Sequence, residues 1–243
     1  MLSRPRCDHA AAHSYDTIVL EARPDKEFLF DFVEQFGFHR LPVLKGGTDP
    51  VYAKSLNPAD DEAELMSPFA FHIAFGPPTV LWQDVPGYVV PIKPLYHARL
   101  FPEAEPQLSL AAGAEAHGNG IRKAYLSKAS IRTVTPGDLL FFYRYVTSKL
   151  TVVGVAEDAV VLSDALDILR AIGKRTLYPY ESIEALTHGG RPVLVIGFRQ
   201  AKVAEKPVPY AELQKYGVLR GRPRAVQGIS EEAAKWLAKR LRL

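Results

Sequence analysis

The chain has 243 residues, of which 47% are hydrophobic and 23% charged, with a net charge of +3. That composition suits one large or two ordinary globular domains and excludes a disordered chain. No apolar run approaches the roughly 18 residues that span a bilayer, and Cys7, the one cysteine, excludes an intrachain disulfide or a multi-cysteine metal site. The N-terminal stretch has no apolar signal-peptide core, so a cytoplasmic protein without membrane contact is expected.

Charge is unevenly spread. Residues 1–100 hold 9 Lys/Arg against 13 Asp/Glu, and the remainder 21 against 14. From Lys215 onward eight cations face two anions, Glu231 and Glu232. Such asymmetry favours a polyanionic partner, with a solvated helix face as the alternative.

Residues 1–15 read as a disordered tail. His9 and His13 stand at i, i+4, but no H-E-x-x-H motif surrounds them, and no metal or cofactor is expected. Asp16–Ala22 reads as a strand. A helix then starts near Pro24 and Asp25, with Phe28, Phe32 and Phe36 on its apolar face and Gly37 as its stop. Leu41–Leu44 and Val51–Leu56 read as a hairpin around Gly46-Gly47, and Asn57–Glu64 as a loop. Phe69–Phe75 (FAFHIAF) alternates and reads as a strand, with His72 as a satisfied core residue. Val80–Gln83 and Tyr88–Ile92 read as short strands. Tyr96–Pro102 reads as a bridge between halves, whose boundary falls near residue 90.

In the second half Pro136-Gly137-Asp138 is the main turn signal. It separates a basic segment from two apolar runs, Leu139–Tyr143 and Leu150–Val155, which read as paired strands. A helix runs from a Ser163-Asp164 cap to Ile172 and stops at Gly173. Another covers Tyr180–Leu186, followed by a Gly189-Gly190 turn, and Val193–Arg199 reads as a buried strand. Pro209–Tyr216 and Ser230–Leu241 read as helices, the latter with acids first and cations last. The fold class expected is α+β, mixed α/β, with helices and strands in both halves.

The N-terminal unit, in DTIVLEA (Asp16–Ala22), FVEQFGF (Phe32–Phe38) and PVYAKSL (Pro50–Leu56), resembles the C-terminal half of a GNAT-type N-acyltransferase. Tyr52, Lys54 and Leu56 match that family's Y-x-K-x-L strand. The family's Q/R-x-x-G-x-G/A turn for the coenzyme A pyrophosphate is missing. The position of its proton-donating tyrosine holds Val33, which has no proton to give. The resemblance thus implies a catalytically incomplete scaffold over residues 16–90. The alternative is an N-acetyltransferase completed by a partner chain, and a homodimer is also open.

Residues 91–243 resemble a PUA-like module, nearest to the ASCH and EVE branches. The carrying features are Gly120 with Arg122 and Lys123, Pro136–Asp138, LLFFY (Leu139–Tyr143) and VVGV (Val152–Val155). PVPYAEL (Pro207–Leu213) and ISEEAAKWL (Ile229–Leu237) also match. The resemblance implies a small β-barrel with flanking helices that binds RNA or a modified base. In the ASCH pattern G-x-K-x-x-E-x-R the glutamate position falls on Tyr125, or on Leu126 with one insertion, and neither is a carboxylate. A nucleotide or acylated-base hydrolase using Lys123 and Glu157 is a further alternative.

A base taken from its stack needs aromatic faces, and its phosphates need cations. Tyr125, Phe142, Tyr143, Tyr145, Tyr178 and Tyr180 are candidates for the first role, although for Phe141 or Phe142 a core position is the favoured reading, since aromatic strand residues commonly fill cores. Arg122, Lys123, Lys128, Arg132 and Arg144 are candidates for the second. The interface expected is Arg122, Lys123, Tyr125, Lys128, Arg132, Tyr143 and Arg144, with no catalytic residue.

Overall fold

The computed structural model describes residues 9–10, 13, 15–21, 23, 25, 27–42, 49–59, 61–104, 120–128, 133–175 and 178–243. Most of the tail at 1–15, the Gly46-Gly47 turn and Arg132 lie outside them. Among the described residues no helix is long and apolar enough to cross a membrane.

The N-terminal unit is a three-stranded antiparallel sheet with helix α1 (Glu27–Glu34) against it. Its strands are β1 (Thr17–Glu21), β2 (His39–Arg40) and β3 (Val51–Ser55), in the order β1-β3-β2. The apolar face of α1 differs from expectation. Val33 and Phe36 are buried, whereas Phe32 keeps 37% of its surface in water; the Phe28 side chain lies outside the description. Gly37, at φ +78°, ends the helix, and a Cβ there would collide with the Ile73 carbonyl oxygen.

A short helix α2 (Glu62–Leu65) occupies the expected loop. The predicted strand Phe69–Phe75 is helix α3 (Pro68–Phe75). Its alternation was uninformative because nearly every position is apolar. The decisive signals lie just upstream, where the Ser67 hydroxyl accepts the Ala70 N–H at 3.3 Å and Pro68 starts the helix. The buried residues Phe71, His72 and Phe75 then follow helical spacing. Val80–Gln83 is irregular, not a strand, though Val80 is buried in the core. The expected bridge is largely helix α4 (Pro94–Leu100), again with proline in its first turn.

The second sheet has six strands. They are β4 (Gly87–Ile92), β5 (Arg122–Ser127), β6 (Leu139–Arg144), β7 (Lys149–Leu162), β8 (Val193–Pro209) and β9 (Gln227–Gly228). Their order is β5-β8-β7-β6-β4-β9. Among the described strands only β4 and β6 run parallel; the other pairs are antiparallel, so the sheet is mixed. Both β7 and β8 run well beyond the apolar segments that announced them, and breaks in register accompany their length. Helices α5 (Ala165–Ile172), α6 (Tyr180–Thr187), α7 (Tyr210–Lys215) and α8 (Glu231–Leu241) flank the sheet. The α5 cap is as expected: Asp164 accepts the Leu166 and Asp167 amides at 2.8 and 3.0 Å.

The sheet curls. Tyr125 on the β5 edge donates a 2.6 Å hydrogen bond to the Pro91 carbonyl of β4, although three strands separate β5 from β4 in the ladder. One cluster accordingly joins Tyr88, Val90 and Ile92 of β4 with Tyr125 of β5 around Phe101, Phe142 and Phe198. The chain is thus an α+β protein whose larger sheet bends until two distant strands approach across an open seam.

Candidate nucleic-acid interface

That seam holds a cavity of about 590 Å³. Pro91 and Ile92 form its β4 side, and Tyr125, Leu126, Ser127 and Lys128 its β5 side. Helix α4 adds Tyr96, preceded by Lys93; α6 adds Ser182, Ala185 and Leu186; Tyr145, Tyr178 and Arg224 complete the wall. Tyr96 and Tyr178 face each other with ring centroids 4.6 Å apart and planes tilted by 34°. Burial pushes the Tyr178 hydroxyl above the ordinary tyrosine range, Tyr125 and Tyr96 push the same way, and a backbone hydrogen bond at Leu126 opposes them. Burial also raises Tyr125. Both hydroxyls are therefore neutral at physiological pH and serve as hydrogen-bonding groups, not charges.

Among the described residues the lining carries three cations, Lys93, Lys128 and Arg224, and no carboxylate. All three are exposed. The wall thus combines aromatic faces, neutral hydroxyls and rim charges of one sign, in a volume typical of small-molecule pockets. A planar, anion-bearing ligand satisfies each of those features.

The sequence candidates separate cleanly. Tyr125, Lys128, Tyr145 and Tyr178 line the cavity. Phe142 and Tyr143 are fully buried in the sheet's core, and Phe141 with them. Tyr180 is exposed at the start of α6 but is not on the lining. Arg122 points to the other side of β5, where Nε donates to Glu157 at 2.9 Å and Nη1 to Gln35 at 3.2 Å. Lys123 is buried; its ammonium donates to the Leu100 carbonyl and lies 5.3 Å from the Phe101 ring centre. Arg144, at the end of β6, is half-buried and stands near His97. The seven-residue interface is therefore not one cluster, because adjacent residues of a strand project to opposite faces.

The same alternation separates Lys123 from Glu157. Glu157 is engaged by Arg122 and lies 3.8 Å from Arg199 Nε. Lys123 faces the aromatic core instead. Among the described residues, no group of three or more His, Cys, Asp or Glu could hold a metal ion.

Tyr96, Lys93 and Arg224 were not among the sequence candidates. Lys93-Pro94, with proline at the first helical position, was the available signal for the first two. Arg224 belongs to the C-terminal cationic stretch, and nothing local connects it with β5.

The sequence matches no protein-family model and no curated protein. Among solved structures, ASCH from Zymomonas mobilis aligns over 63% of this chain and 94% of its own, at 12% identity and a TM-score of 0.48. Rpa0253 from Rhodopseudomonas palustris aligns over 65% and 93%, at 15% identity and a TM-score of 0.34. Human THYN1, solved in complex with 5-methylcytosine-containing DNA, aligns over 63% and 96%, at 11% identity and a TM-score of 0.38. These are partial likenesses of chain path, so the functional reading rests on the cavity itself.

Proposed function

We propose that the protein is a PUA-like binder of single-stranded nucleic acid that takes one unpaired or modified base into the seam cavity. The base lies against Tyr96 and Tyr178, Tyr125 and Ser127 meet its polar edge, and Lys93, Lys128 and Arg224 contact neighbouring phosphates. The supporting observation is a 590 Å³ cavity whose wall, among the described residues, holds four tyrosines, three cations and no carboxylate. RNA is the preferred partner, because its loops and ends offer splayed bases to aromatic side chains. The N-terminal unit acts as a scaffold in this reading, and the protein works in the cytoplasm.

Fluorescence anisotropy with labelled single-stranded RNA, single-stranded DNA and duplex tests the proposal. Single strands bind best, and affinity falls as salt rises because counterions are released. Tyr96→Ala weakens binding by about 5- to 150-fold, corresponding to roughly 1–3 kcal/mol for one stacked base. Failure to bind RNA or modified oligonucleotides even at low ionic strength would sink the proposal.

A further inference from the structure

The segment Lys215–Arg224 (KYGVLRGRPR) contains four cations and no acid. Lys215, Arg220, Arg222 and Arg224 are all exposed, and none is ion-paired with another described residue. Two neighbouring cations of α8 differ: Lys235 meets Glu231 at 2.5 Å, and Arg240 meets Glu212 at 2.7 Å.

These charges stand on a braced loop. Val218 and Leu219 are buried, and their amides both donate to the Leu213 carbonyl, at 2.9 and 3.2 Å. Gly217 supplies the left-handed turn at φ +71° that lets the chain fold back. The Arg222 guanidinium rests 5.8 Å from the Tyr210 ring centre. A braced loop with like charges and no internal counter-ion is organised for an external anion whose charges repeat.

Both ends point to one kind of partner. At one end Arg224 opens directly onto the tyrosine cavity. At the other, Tyr216 stacks on Trp236 with centroids 4.4 Å apart and planes 16° apart, and the Lys215 ammonium lies 5.2 Å from the Tyr216 ring. Tyr216 keeps 45% of its surface in water. A partly exposed aromatic pair beside a cation is a stacking platform for a base. An anionic lipid surface would answer the charge, but the loop's aliphatic residues, Val218 and Leu219, are turned into the core and leave no aliphatic side chain to insert.

We infer that Lys215–Arg224 is a track for the sugar-phosphate backbone leaving the seam cavity, and that the Tyr216–Trp236 pair receives a further base. The inference rests on the cavity reading. It makes the binding site extended, so affinity grows with strand length beyond what one base can fill.

The test compares a dinucleotide with single-stranded RNA oligomers of increasing length, using the full chain and the triple variant Lys215→Ala, Arg220→Ala, Arg222→Ala. Its exposed substitutions leave the melting temperature unchanged. Dinucleotide affinity stays the same in the variant. Affinity for the long oligomer falls, and the slope of log K against log salt becomes shallower by about 2, at roughly 0.7 per phosphate contact on a single strand. An unchanged slope and affinity for the long oligomer overturn the inference. So does variant-sensitive binding to phosphatidylserine vesicles with oligomer binding intact. Tyr96→Ala separates the two readings, since it reduces dinucleotide and oligomer binding alike. If the dinucleotide does not bind and Tyr96→Ala changes nothing while the triple variant still weakens the oligomer, the cavity reading fails and with it the path out of the cavity, although the basic loop still binds the strand.

Discussion

Three buried polar side chains show how single residues hold this structure. The Lys54 ammonium donates to the carbonyls of Phe36, Ile73 and Ala74 at 2.8, 2.7 and 2.8 Å, with its side chain removed from water. Two of those carbonyls belong to the last turn of α3, where the negative end of the helix dipole favours a cation. Lys54→Met strips the charge-assisted bonds and leaves buried acceptors unmatched. A loss of about 3 kcal/mol, read by urea unfolding, is expected from hydrogen bonds of this kind. His97 is the opposite case, a base kept neutral. Its Nε2 lies 2.7 Å from the Thr151 hydroxyl, and burial, reinforced by Arg144, lowers its pKa to about 4. The unfolded chain therefore binds a proton between about pH 6.5 and 4 that the folded chain refuses. The His97 contribution is fully present above that window and is lost as pH falls through it, by up to ~3 kcal/mol. Unfolding free energies at pH 7 and pH 5 should diverge less in His97→Gln than in the parent chain; equal divergence would refute this assignment. Gln200 is the third, buried with its amide donating to Glu103.

At the scale of elements, the turn Pro136-Gly137-Asp138 fixes where the central hairpin meets the N-terminal unit. Gly137 donates its amide to the Ala156 carbonyl at 2.9 Å, and Asp138 accepts the Thr135 amide at 2.7 Å. Burial raises the Asp138 carboxyl's pKa, and its bonds to Thr135 oppose that. Gly137 has φ +100°, and a Cβ would lie 2.9 Å from Pro68 Cβ and 3.0 Å from the Phe69 nitrogen. Gly137→Ala therefore combines backbone strain with a clash against α3 and destabilises by about 1–3 kcal/mol, measured as a fall in melting temperature. How far such elements can be read from sequence depends on whether their punctuation is local. The α5 helix was legible because Asp164 and Gly173 bracket it. The α3 helix was not, because FAFHIAF is apolar at almost every position and periodicity has nothing to contrast. Only its start, Ser67-Pro68, was informative.

For the whole molecule, Arg199 is a buried link between the two sheets, beside the exposed Arg122–Gln35 bond. Arg199 itself is 4% exposed. Nη2 donates to the Gln35 carbonyl at 2.8 Å, and the guanidinium sits 5.1 and 5.6 Å from the Phe36 and Phe69 rings. Burial lowers its pKa to about 10, Glu157 raises it and Arg122 lowers it, so it remains charged at neutral pH. Arg199→Leu removes that anchor. Hydrogen exchange should quicken in α1 and β1–β3 while β6–β8 stay protected; uniform protection would show that the anchor lies elsewhere. The sequence by itself determined the α+β class, most of the strands and capped helices, the aromatic core at Phe141 and Phe142, and the C-terminal excess of cations. Those follow from local composition, periodicity and caps. The tertiary structure alone decided which polar residues share a site. Tyr125 reaches Pro91 only because the sheet curls, and the same curl gathers Tyr96, Tyr178 and Arg224 around one cavity. Strand alternation sets Lys123 and Arg122 on opposite faces, and the tertiary packing makes one face the core and the other the Glu157 side. Spacing along a chain carries no record of such contacts, because strand pairing and sheet curvature are made between residues far apart in sequence.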